Sequence, residues 1–167
     1  ADVRGWLRGA VWSLSGVPLK AVLPDFAKLD QVMLIRGSAM SVANGGRMCD
    51  RFLPPPTPMP EWFTNADLDV FANEFERSGF FGPLAYYHNI SNSWTDLEGH
   101  ADVPLTVPSF FIGGEFDVAT GWGQEAIARV SERATDYRGT VIVEGCGHWI
   151  QQERPELSWP RSSEQRA

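Results

Sequence analysis

Hydrophobic positions at the start of the chain recur at helical spacing. Val3, Trp6, Leu7, Ala10, Val11 and Leu14 line one face, with Asp2 placed to cap the helix and Gly16 to end it. The pattern then fades. Between Gly37 and Trp62 glycines cluster, and five prolines follow from Pro54 to Pro60. Proline removes amide donors and blocks helix, so a long loop is predicted there. A second helix starts after Thr64, where Asp67 stands in the acid position of a capping box. Leu68, Phe71, Ala72 and Phe75 form its apolar face and Gly79 stops it. Pro83, suited to a first helical turn, predicts a short helix from Pro83 to Asn89. No strand pattern interrupts residues 1–95.

The period changes after Asp102. Val107 to Gly114 (VPSFFIGG) is an apolar run between Pro104 and a glycine pair, as expected of a strand buried on both faces. Gly123 to Ala134 reads as helix, with Ile127, Val130 and Ala134 on one side; Gly139 closes that unit. Thr140 to Gly145 (TVIVEG) is a second, β-branched strand. Strand, helix, strand is one βαβ crossover, which predicts an α/β fold with parallel strands.

Composition narrows the partners. The 167 residues are 43% hydrophobic and 21% charged, a balance typical of a folded globular chain. Seven Trp and ten Phe imply a substantial core or a roomy apolar pocket. The formal net charge of −7 works against nucleic acid or an anionic membrane surface. Cys49 and Cys146 lie far apart with no metal-type spacing and are expected as reduced, buried thiols. No apolar run approaches the ~18 residues of a membrane span. The first residues read as amphipathic helix and not as a signal peptide, so the cytoplasm is the default expectation.

The chemistry is expected at the carboxyl ends of the strands, where open α/β sheets gather functional side chains. The first strand runs into GGEFD and the second into GCGHW, placing Asp117 and His148 in two loops that adjacent parallel strands bring together. A carboxylate bonded to one imidazole nitrogen fixes the tautomer and leaves the other nitrogen basic. Glu115 is a rival acid, and spacing alone does not choose between them. His88 and His100 have no such support and are expected to be exposed.

Three runs carry a family resemblance: SGFFGPLAYYHN (Ser78–Asn89), VPSFFIGGEFD (Val107–Asp117) and GCGHWIQQERPE (Gly145–Glu156). In this order the chain, from Ala1 to Glu156, resembles the epoxide hydrolases of the α/β-hydrolase superfamily. The resemblance implies a helical cap (lid) region over residues 1–95 and the C-terminal part of an α/β-hydrolase core, with an incomplete parallel sheet, over 96–167. It implies Asp117 as catalytic acid, His148 as catalytic histidine and Tyr87 as cap tyrosine. Tyr86 and Tyr87 point about 100° apart on a helix, so only one can face a site. It further implies a small apolar epoxide and water as reactants, no metal or organic cofactor, and a vicinal diol as product. Two alternatives are another cap-bearing α/β-hydrolase, such as a haloalkane dehalogenase or esterase, and a non-catalytic interaction module.

Neither G-x-D-x-G nor G-x-S-x-G, the turns that carry the nucleophile in such folds, occurs in these residues. The HG-x-P oxyanion loop and a second cap tyrosine are also missing, and LSWPRSSEQRA replaces the amphipathic helix expected after ERPE. The expectation is therefore an inactive fragment whose uncovered strands favour self-association or a complementing N-terminal half.

Overall fold

The computed structural model describes residues 2–39, 41, 42, 44–100 and 102–158. The divergent tail from Trp159 onward lies outside the described residues. Helix α1 (Val3–Ser13) follows the predicted pattern: the Asp2 side chain accepts from Gly5 N, and Leu7, Ala10 and Val11 are buried. Gly16 does not simply end it. It opens a second helix, α2 (Gly16–Val22), after a tight corner at Leu14–Ser15. A 3-10 turn at Phe26–Lys28 and α3 (Gln31–Gly37) follow, neither of them visible in the pattern. They are too short for a moment to emerge, and they form because Leu19, Phe26 and Leu34 pack into a cluster with Phe116.

The proline-rich segment is the predicted loop, interrupted by a 3-10 turn at Met48–Arg51. It is packed down: Met59 is buried, and Arg8 donates to Pro56 O at 2.6 Å. Helix α4 (Asn65–Ser78) has the capping box read from sequence, with Asp67 N donating to Thr64 Oγ1 and Thr64 N to Asp67 Oδ2. Leu68 and Ala72 bury against Leu7 and Val11 of α1, whereas Phe71 stays exposed. Helix α5 (Phe81–His88) begins two residues before Pro83; its ring still falls in the first turn, whose amides have no intrahelical partner. Helix α6 (Ile90–Leu97) was not expected.

Strands β1 (Ser109–Gly114) and β2 (Tyr137–Val143) pair in parallel, as the crossover predicts. The second strand starts three residues early because Gly139 lies inside it. Between the pairs Ser109–Tyr137 and Phe111–Thr140 the register slips, and Gly139 absorbs the slip at φ +133°, with the Phe110 ring 3.2 Å from where a Cβ would sit. The crossover helix is broken into α7 (Val118–Trp122), α8 (Gln124–Ala128) and α9 (Val130–Arg133), with Gly123 and Arg129 in non-helical conformations at the breaks. Two four-residue turns of helix, α10 (Ile150–Glu153) and α11 (Pro155–Ser158), complete the described chain. The sheet is covered incompletely: Val143 is buried with Cys146 and Ile150, while Phe110 is 52% exposed and Val141 and Ile142 nearly as much. Of the two cysteines, both free, Cys146 is buried and Cys49 only partly so.

Candidate active site

Parallel pairing of β1 with β2 brings the two strand-end loops side by side. Asp117 caps α7 through Ala119 N at 3.0 Å, which holds its carboxylate beside the histidine loop. Asp117 Oδ1 lies 3.0 Å from His148 Nδ1. The two contacts share Oδ1, and Oδ2 has the Thr120 hydroxyl at 3.5 Å. Glu115, the rival acid, is engaged elsewhere: its carboxylate accepts from Gly145 N at 2.8 Å and ties the two loops together. Geometry therefore selects Asp117 as the partner of His148.

The pair shapes its own protonation. Burial pushes the Asp117 carboxyl up, yet the hydrogen bond and charge of His148, with the Ala119 amide and Thr120 hydroxyl, outweigh it and hold the group below the usual carboxylate range. The His148 imidazole is raised above its ordinary value by the Asp117 hydrogen bond; burial opposes this, and the charges of Asp117 and Glu153 add to it. The Asp117 side chain is 14% exposed and the imidazole 45%, so the acid is sheltered and the base reachable.

The histidine loop is held by α1 and α2. His148 N donates to Leu14 O at 2.8 Å, and Trp149 Nε1 donates to Val11 O at 2.8 Å. Glu153 reaches back along the loop, its Oε1 accepting from Gly147 N (3.1 Å) and Trp149 N (3.3 Å) and its Oε2 from Gly16 N (2.8 Å). A Cβ on Gly147 would lie 2.3 Å from Leu14 O, and one on Gly16 only 2.0 Å from Gly145 O. Two glycines thus permit direct backbone packing.

Asp117 and His148 line an apolar cavity of about 540 Å³, walled by residues such as Trp6, Leu14, Trp62, Phe75 and Trp149. Tyr87 lines the same cavity from α5 and is 59% exposed, whereas Tyr86 is 84% exposed and is not among the lining residues. His88 and His100 are exposed, away from this cavity. Trp122 also lines it, and its indole N–H has no hydrogen-bond partner among the described residues. Among the described residues no group of three His, Cys, Asp or Glu side chains is placed to hold a metal ion. The pattern of the sequence gave no role to Glu153 or Trp122: a single Glu in ERPE or a single Trp in a helix carries no spacing signal.

An acid after one parallel strand, a histidine after the next and a helical layer above them define part of an α/β-hydrolase. No family model matches the chain. It is 48% identical over 93% of its length to epoxide hydrolase B of Mycobacterium tuberculosis, and 39% identical over 62% to epoxide hydrolase A of the same organism. A solved epoxide hydrolase from an endophytic Streptomyces superposes with a TM-score of 0.79 at 40% identity, covering 94% of this chain and 43% of that one. Over nearly its whole length the chain is homologous to part of epoxide hydrolase B. It spans about half the length or less of the curated relatives it matches, covering 45% of epoxide hydrolase B and 31% of epoxide hydrolase A. No helix among the described residues is long and apolar enough to cross a membrane.

Proposed function

We propose that this chain contributes the acid, the base and the lid tyrosine of an epoxide hydrolase that converts a small apolar epoxide and water into a vicinal diol. The observation that carries the reading is the 3.0 Å contact of Asp117 with His148 Nδ1 on the wall of an apolar cavity that Tyr87 also lines. In this reading residues 1–95 serve as the lid and 96–167 as part of the core, and the nucleophilic carboxylate comes from a segment outside these 167 residues.

The chemistry follows from the three groups. A carboxylate attacks one epoxide carbon, the ring C–O bond breaks, and an alkyl-enzyme ester forms. The Tyr87 phenol O–H donates to the epoxide oxygen as it gains charge, so it stabilises the transition state more than the ground state. Asp117 occupies Nδ1 of His148, leaving Nε2 to take a proton from water. The resulting hydroxide adds to the ester carbonyl and the ester C–O bond breaks, restoring the carboxylate. The proton held on Nε2 ends on the alkoxide oxygen left by ring opening, so the diol leaves neutral and the imidazole returns to its starting state. A second reading rests on Trp122, because an unpaired indole N–H is also a halide-stabilising donor of the kind a dehalogenase needs.

The test is turnover on styrene oxide, with a chloroalkane alongside. The 167-residue chain alone is expected to give no diol; turnover matching an intact epoxide hydrolase would refute that part. Joined to a segment carrying the G-x-D-x-G turn, it is expected to form diol. There, His148→Asn should arrest the reaction at the ester, visible as added mass, and Tyr87→Phe should slow ester formation. Halide release without diol would favour the second reading.

A further inference from the structure

The imidazole of His148 is nearly half exposed, and the loop that carries it, Gly145–Cys146–Gly147–His148, holds two glycines. A single contact to Asp117 does not fix a ring on so pliable a backbone. An edge-on contact with the Trp149 ring, at 4.9 Å and 81°, adds a weak wall. What restrains the backbone is a run of three consecutive amides. Those of Gly147 and Trp149 donate to Glu153 Oε1, and the one between them, on His148, donates to Leu14 O. The other oxygen of Glu153 accepts from Gly16 N, the first residue of α2. One carboxylate thus joins both flanks of the histidine to the α1–α2 corner.

We infer that Glu153 is a positioning residue for His148, clamping the backbone on either side so that Nδ1 stays in line with Asp117 and Nε2 faces the cavity. The inference rests on the reading of His148 as general base. A base displaced by about 1 Å loses much of its effectiveness, which gives such a clamp a functional purpose beyond stability. Charge acts in the same sense, because the Glu153 carboxylate adds to the elevation of the His148 pKa. Burial keeps the Glu153 carboxyl itself above its ordinary value despite its three amide donors.

The test uses the ¹⁵N-labelled 167-residue chain, in which His88 and His100 are exposed internal references. Imidazole ¹H–¹⁵N spectra report the share of His148 protonated at Nδ1 and its titration midpoint; amide exchange reports the clamp. Glu153→Gln keeps one acceptor oxygen and loses the charge. Glu153→Asp keeps the charge but falls short of the amides. Both are expected to speed exchange at Gly147 and Trp149, about tenfold in Glu153→Asp and less in Glu153→Gln. Both should lower the Nδ1-protonated share of His148, and Glu153→Gln should also lower its titration midpoint.

Faster exchange with an unchanged imidazole in both variants would make Glu153 a stability residue only and overturn the inference. So would loss of the fold in both, since positioning leaves the core clusters intact. Asp117→Asn separates this from the underlying reading. If Asp117→Asn moves the His148 signals and neither Glu153 variant does, only the role of Glu153 fails. If Asp117→Asn leaves them unmoved, the acid–histidine pair itself fails.

Discussion

Replacing Gly147 by alanine should separate the histidine loop from the α1–α2 corner. An ideal Cβ there falls 2.3 Å from Leu14 O, 2.5 Å from Ser15 C and 2.6 Å from Gly16 N. All three are backbone atoms, so no side chain can swing aside, and the loop must retreat by roughly 1 Å to reach ordinary contact. That retreat stretches His148 N–Leu14 O from 2.8 Å and Gly147 N–Glu153 from 3.1 Å. Two weakened hydrogen bonds at about 1 kcal/mol each, plus about 1–3 kcal/mol of overpacking, give a loss of roughly 3–5 kcal/mol. Gly145→Ala supplies the comparison. Its φ of +71° is unfavourable for alanine, but nothing lies within 4 Å of the new Cβ, so the cost is about 1–2 kcal/mol. Gly82, in the first turn of α5 and also in open space, should gain about 0.5 kcal/mol on substitution by alanine. Urea unfolding followed by tryptophan fluorescence orders the three variants. A Gly147→Ala chain as stable as Gly145→Ala would refute the argument that backbone contact at this corner sets the position of the loop.

The remaining expectations concern the site and the core. His148, raised, contributes stability that is complete below its unfolded pKa of about 6.5 and lost as pH rises through its folded value. Asp117, lowered, contributes stability that is complete above about pH 3.9 and lost as pH falls through its folded value. Their pairing is thus fully effective between about pH 4 and 6.5. Asp117→Asn should remove about 1 kcal/mol or less there, discounted for the half-exposed imidazole, and flatten the pH profile; an unchanged profile in urea unfolding would contradict the pairing. Leu68, fully buried between α1 and α4, should cost about 3 kcal/mol on truncation to alanine, and a loss below about 1 kcal/mol would show that the α1–α4 contact is not a consolidated core. The Cys146 thiol, pushed by burial up to about 11, should resist a thiol reagent at mild pH while the more accessible Cys49 reacts, and equal fast labelling of both in the native chain would count against this.

Local pattern alone determined much of this chain. The apolar stripe of α1, the Thr64–Asp67 capping box of α4 and the parallel pairing implied by one crossover are consequences of period and cap chemistry, which act over a few residues. So was the meeting of Asp117 and His148, since strand ends in a parallel pair share one edge. Spacing left Asp117 and Glu115 open and the family resemblance implied Asp117; the tertiary structure pairs Asp117 with His148 and engages Glu115 elsewhere, because two acids separated by one residue differ in direction and not in spacing. The tertiary structure alone set Gly139 inside β2, turned Gly16 from a helix end into the start of α2, and bound Glu153 to the nearby amides of Gly147 and Trp149 and to that of Gly16, 137 residues away. These features depend on which backbone approaches which, and close approach between segments that are not neighbours in sequence leaves no periodic trace in either one.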